Sequence, residues 1–197
     1  MKRIFTGMAT ACAVSLALAA GPASAAPEKY ELDPDHTSIG FLTMHIGYAK
    51  VLGLFRKSSG SFTFDEDALT LSDVEVIIET DSVYTNHKKR DQHLTSPDFL
   101  NSAEFPEMVF TATSTEKLTD NTGIVHGELT LLGQTHPLSL DVTFNKAGDY
   151  PFGDNYNVGI SARGTLIRSQ YGMTYGVENG WVGDEIELIL EFEAIRQ

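Results

Sequence analysis

Side-chain alternation with a period of two constrains this chain more than any other feature. Leu138, Leu140, Val142 and Phe144 alternate with Ser139, Asp141 and Thr143. Successive side chains of a β-strand point to opposite faces, so this pattern sets one face in a core and the other in water. Ile186, Leu188, Leu190, Phe192 and Ala194 alternate in the same way with Glu187, Ile189, Glu191 and Glu193. Val74, Val76 and Ile78 alternate with Glu75, Ile77 and Glu79. Less regular runs at Ile39–His45, Gly60–Phe64, Met108–Thr115, Val125–Leu131 and Val158–Arg168 raise the total to about eight strands. Turn-forming segments separate them, among them Asp65-Glu66-Asp67, Asp120-Asn121-Thr122-Gly123 and Lys146-Ala147-Gly148. The fold class expected is all-β with minor helices, arranged as a closed antiparallel barrel or a sandwich.

Three stretches depart from alternation. Thr85–Leu94 is strongly polar and fits a helix. Ser96-Pro97-Asp98 has the order of a second helix start, with Ser as cap, Pro in the first position and an acid in the first turn. Phe99, Leu100 and Phe105 would lie on its inner side, and Pro106 would stop it. A third helix is expected over Tyr48–Phe55. No internal repeat or long linker divides the chain, which predicts one β-rich domain over residues 26–197.

Residues 1–25 have the layout of a cleaved secretory signal peptide. Lys2 and Arg3 precede an apolar run from Ile4 to Ala20, and Gly21-Pro22 leads to the small triplet Ala23-Ser24-Ala25. Cleavage after Ala25 would remove Cys12, the single cysteine, and with it any disulfide or thiolate chemistry. The compartment implied by a bacterial-style leader is the periplasm. No later segment has the 18 or so consecutive apolar residues of a spanning helix, so the rest is not expected to be an integral membrane protein. Acidic residues outnumber basic ones by 27 to 14, and the net charge is −13. A nucleic-acid partner is therefore excluded, because its phosphates require a basic stripe.

An eight-stranded barrel is the size at which the interior is either filled by side chains or holds one small ligand. Inward candidates are Phe41, Phe62, Phe64, Val76, Ile78, Phe110, Leu129, Leu131, Leu140, Ile160, Leu166, Leu188 and Leu190. Such residues often do no more than pack on one another. Gly40, Gly127, Gly159 and Gly164 lie inside strand patterns, where a missing side chain allows a bend or leaves volume.

Tyr30-Glu31-Leu32-Asp33, followed by His36-Thr37-Ser38-Ile39 and Phe41, resembles the opening strand of the YceI-like, polyisoprenoid-binding family. His45-Ile46-Gly47-Tyr48 and Gly53-Leu54-Phe55 are similar to two further elements of that family. The longest likeness runs through Thr85-Asn86-His87, Arg90-Asp91, His93-Leu94, Ser96, Asp98-Phe99-Leu100-Asn101 and Phe105-Pro106. Gly127-Glu128-Leu129-Thr130-Leu131, with Gly133, Thr135 and Pro137, adds another. One element departs: relatives often have Arg-x-Asp-aromatic-Gly where this chain has Arg168-Ser169-Gln170-Tyr171-Gly172. The resemblance implies an eight-stranded lipocalin-like barrel with a helical lid segment. It also implies a periplasmic carrier that holds a polyprenyl or quinone-type isoprenoid lipid and needs no cofactor besides that lipid. The ligand-binding residues it points to are Phe41, His45, Phe55, Phe62, Val76, Ile78, Arg90, His93, Phe99, Phe105, Phe110, Leu129, Leu131, Ile160 and Leu188.

The polar residues admit more than one role. His45 is in phase with Phe41 and either meets a ligand head group or bonds a backbone carbonyl. His87 and Asp91 share a helical face, but one imidazole and one carboxylate make a poor metal site. Arg90 and Asp91 better suit a network that fixes a helix over the barrel mouth. Lys88-Lys89-Arg90 is either a solvated face or, at a cavity mouth, a contact for a pyrophosphate. Gly159 to Gly164 misses the nucleophile-elbow spacing because Arg163 stands where the second glycine is required, so no catalytic residue is assigned. Two alternatives remain: a filled barrel that assists a membrane redox partner, and a lipid-modifying enzyme using His45 or His87. Edge pairing between two barrels offers a route to a homodimer.

Overall fold

The computed structural model describes residues 26–197, so the signal-peptide segment lies outside the described residues. Ten strands form one antiparallel sheet: β1 (Glu28–His45), β2 (Ala49–Phe55), β3 (Ser58–Asp65), β4 (Thr70–Glu79), β5 (Val83–Tyr84), β6 (Glu107–Lys117), β7 (Thr122–Leu131), β8 (Gln134–Asp149), β9 (Tyr156–Ile167) and β10 (Val182–Arg196). The sheet closes through a pairing of β10 with β1. β2 pairs with the second half of β1 and β3 with its first residues, so the two make one broken stave. β4 and β5 make another, because β4 pairs with β3 and β5 with β2. The ring therefore has eight staves, the number read from alternation. One helix, α1 (Lys88–Leu94), lies in the connection between β5 and β6.

The helix expected over Tyr48–Phe55 is instead strand β2. Ile46 and Gly47 both adopt positive φ, 49° and 73°, and the Tyr48 amide bonds the His45 carbonyl at 3.0 Å. That is a hairpin turn of the I′ kind, which sends the chain straight back along β1. The apolar spacing of Val51, Leu52 and Phe55 imitates a helix because Leu52 and Leu54 are exposed on the outer face while Gly53 is buried. The helix expected from Ser96 is a run of turns. The Ser96 hydroxyl donates to the His93 carbonyl and so helps to end α1 rather than begin a new helix. Helix α1 itself starts at Lys88, after His87, whose Nδ1 accepts the Arg90 amide.

Connections gather at two ends. The β3–β4, β6–β7 and β8–β9 turns form the base, and the β1–β2 turn, the α1 segment and residues 168–181 form the opposite end. The base is plugged. Tyr30, Phe62, Phe64, Val158, Ile160 and Ala194 are buried together there, with Tyr30 stacked on Phe62 at 5.6 Å. Tyr30 and Tyr156 both donate hydroxyl hydrogens to the Glu66 carboxylate, at 3.0 and 2.9 Å. Burial and that acceptor carboxylate push the Tyr30 phenol well above its usual range and raise that of Tyr156, so both phenols keep their protons.

Candidate functional site: an apolar tunnel with a polar mouth

Even-numbered positions of β9 and β10 and odd-numbered positions of β7 turn inward, and the space they enclose is not filled. A central compartment of about 120 Å³ exposes no polar atom. Of the residues singled out from sequence, Phe41, Phe55, Phe62, Val76, Ile78 and Phe110 line it. Leu129, Ile160 and Leu188 complete that group. A second compartment of about 100 Å³ continues toward the open end, where Phe99 and Leu131 join Phe41, Phe55 and Leu188. A third, about 320 Å³, is the mouth, lined by His45, Arg90, His93, Thr85, Tyr175 and Trp181. Phe41 borders all three, so they adjoin one another from the interior to the open end.

Phe105 lines none of these compartments. Its ring stands against Gly133 of the β7–β8 turn, and its carbonyl accepts the Thr80 hydroxyl at 2.7 Å. The remaining sequence-derived positions are brought together along the path.

Glycine accounts for part of the free space, though not at all four positions expected. A β-carbon on Gly127 would meet Phe110 Cζ at 2.4 Å, and one on Gly164 would meet Leu140 at 2.7 Å. The same holds at Gly53, beside Phe41. At each, a large inward side chain lies against bare backbone rather than across the axis. Gly40 and Gly159 give no such room: added β-carbons there come no nearer than 3.3 and 3.8 Å to any neighbour.

At the mouth, α1 is locked by one threonine. Arg90 Nε donates to the Thr85 hydroxyl and Nη2 to the Thr85 carbonyl, both at 2.7 Å. The Asp91 carboxylate accepts from the Thr85 amide, at 2.8 Å, and from its hydroxyl. Arg90 and Asp91 thus act on a shared partner, and Asp91 is committed away from His87. His93 bonds Asp98 at 2.9 Å and stands edge-on to Phe99 and Tyr175, each 4.9 Å away. The arrangement can hold a polar head while the tunnel behind it excludes water.

Sequence reasoning missed the part played by Arg168. It is 1% exposed, borders the second compartment, and donates to four carbonyls: Gly183 at 2.7 Å, Met173 and Tyr175 at 2.8 Å, and Val182 at 2.9 Å. These bonds fold residues 173–183 over the tunnel end. Loss of hydration lowers its pKa, and Asp184 opposes that shift. The signal was present: Arg168 continues the inward phase of Ile160, Ala162, Gly164 and Leu166. Gln170, where relatives often carry an acid, is exposed; Asp184 supplies the carboxylate to this turn, accepting the Ser169 amide at 2.9 Å and hydroxyl at 2.7 Å.

At the base, β4 and β6 pair only from Glu75↔Thr111 to Glu79↔Glu107. Beyond that they part, and a groove of about 80 Å³ opens between the β3–β4 and β6–β7 turns. Leu71, Val125, Val142 and Ile160 line both this groove and the central compartment. Asp33, His36 and Glu193 cluster where four residues of β1 bulge out between Leu32 and Thr37, on the strand pair opposite Ala194 and Phe192.

Residues 30–194 match the model of the YceI-like domain family. A UPF0312 protein of Pectobacterium carotovorum is 40% identical over 185 residues, which is 94% of each chain. The crystal structure of a Campylobacter jejuni YceI protein superposes with a TM-score of 0.72 at 27% identity, covering 78% of this chain and 90% of that one. A polyisoprenoid binding domain from Saccharophagus degradans shares the fold, with a TM-score of 0.65 at 12% identity, over 85% of this chain and 98% of that one.

Proposed function

The chain belongs to the YceI-like family, and from that premise we propose that it is a periplasmic binding protein for a long isoprenoid lipid of the polyprenyl or quinone type. One observation carries the reading: the barrel encloses adjoining apolar compartments above a packed base, and its lidded end carries the polar side chains. An oily tail gains by leaving water for such a space, with no covalent step or metal required. At roughly 0.3 kcal/mol per heavy atom, a tail of about 40 carbons would bind with about −12 kcal/mol, or nanomolar affinity. The Saccharophagus degradans domain, whose barrel has the same form, is described as binding polyisoprenoid, which supports this class of ligand. A filled barrel serving only as an interaction module fits less well, because the interior has room.

Arg90 and His93 would meet the head group. Arg90 spends Nε and one Nη2 hydrogen on Thr85, and its Nη1 remains to donate to a phosphate or quinone oxygen. Native mass spectrometry of protein purified from a bacterial periplasm tests the proposal. A co-purifying isoprenoid lipid at one per chain is expected. An empty protein that also fails to take up a polyprenol or a quinone in titration would overturn it.

A further inference from the structure

Exposed large apolar side chains are unevenly distributed on this barrel. Among the described residues, Met44, Ile46, Tyr48, Tyr175 and Trp181 sit at the mouth end, Leu52, Leu54 and Tyr84 continue the patch along β2 and β5, and Leu118 and Phe152 stand singly on the base turns. Tyr48 is 88% exposed, Leu52 56% and Trp181 51%. The β1–β2 turn and the residue 173–181 loop form one tip, because the Ile46 amide bonds the Trp181 carbonyl at 3.0 Å. Ile46 and Trp181 also line the mouth, so the patch borders the opening of the tunnel on the side facing α1.

Charge does not distinguish the two ends. The base turns carry Asp65, Glu66, Asp67, Asp120, Asp149 and Asp154. At the mouth end Lys88 and Lys89 stand exposed on α1, and so do the carboxylates Asp98, Glu104, Glu178 and Glu185. Orientation is therefore set by the apolar rim and not by charge.

We propose that the mouth end docks on the surface of a lipid bilayer, with Ile46, Tyr48 and Trp181 seated at the level of the head groups. Tyrosine and tryptophan favour that depth, since an apolar ring meets acyl chains while its polar atom stays wet. Docking rests on the lipid-binding reading and extends it. With the rim in the interface, an isoprenoid tail passes from bilayer to tunnel without crossing water.

Trp181 is the sequence's only tryptophan, so its fluorescence reports on the tip alone. With vesicles of phosphatidylethanolamine and phosphatidylglycerol, its emission should shift to the blue and be quenched by lipids brominated near the head group. The Tyr48→Asp/Leu52→Asp variant changes two side chains that line no part of the tunnel, and should lose vesicle affinity by about tenfold or more. Uptake of a short soluble isoprenoid alcohol should be unchanged in that variant. Failure of that uptake in the wild type would strike at the binding reading and not at docking. Unshifted Trp181 emission on vesicles, vesicle binding by the variant equal to wild type, or a dimer that the variant dissociates would each overturn the docking proposal.

Discussion

The ring of Phe41 occupies the place where a β-carbon of Gly53 would stand: built there, that carbon would lie 2.1 Å from Phe41 Cζ. The two residues are partners across β1 and β2, and Phe41 borders every compartment of the tunnel. Gly53→Ala would push the ring toward the axis. The expected result is a loss of about 1–3 kcal/mol of stability from overpacking, together with weaker binding of a long isoprenoid than of a short one. Thermal unfolding and a paired ligand titration read both. A variant that binds long chains at wild-type strength would show that Phe41 does not gate the path.

Arg168→Met should loosen the lid. Four carbonyls would lose their donor, and breaking a buried charged network costs about 3–5 kcal/mol. Arg168→Lys should recover only part of this, because one ammonium cannot reproduce a guanidinium fork. Urea midpoints for both variants measure the effect; two midpoints at the wild-type value would contradict it.

His36 and Asp33 form an ion pair at 2.8 Å on the β1 bulge. The hydrogen bond raises the His36 pKa and lowers that of Asp33. A raised histidine stabilises the fold fully below its ordinary value of about 6.5, and that contribution fades as pH rises through the folded-state value. A lowered aspartate contributes above its ordinary value of about 3.9, and that contribution fades as pH falls through the folded-state value. The pair therefore helps most in mildly acidic solution, between those two ordinary values. In an NMR titration, His36 should have a raised midpoint that returns toward normal in Asp33→Asn. An unchanged midpoint in the variant would dismiss the pair.

Tyr30, Phe62 and Phe64 plug the base, so a chain longer than the tunnel has no second way out. Affinity should rise with the number of isoprene units and then fall beyond one length. A plateau in place of that fall, seen across a polyprenol series by calorimetry, would mean that the groove between β4 and β6 opens into the tunnel.

Much of this architecture was legible in the sequence because a half-buried strand must alternate. β8 and β10 stand out through Leu138–Phe144 and Ile186–Ala194 for that reason. β2 was hidden because Leu52 and Leu54 give it apolar residues on its outer face, which breaks the alternation of a half-buried strand. Ser96 carries a helix-start signal, but its hydroxyl is drawn to the end of α1 by a contact that local sequence cannot rank. The tunnel wall could be read position by position from inward phase. The lid could not, since the bonds from Arg168 run to backbone carbonyls of residues 173–183, which side-chain patterning does not reveal. Phe105 shows the limit of reading by neighbourhood: it follows Phe99 and Leu100 in sequence, yet turns to Gly133 instead of the tunnel.

Intermolecular nuclear Overhauser effects between a bound polyprenol and methyl-labelled protein test the central claim most directly. Contacts from isoprenyl methyl groups to Leu129, Leu188 and Ile160, inside the barrel, are predicted. Contacts confined to Leu52 and Leu54 on the outer face, with the inner methyl groups undisturbed, would contradict it.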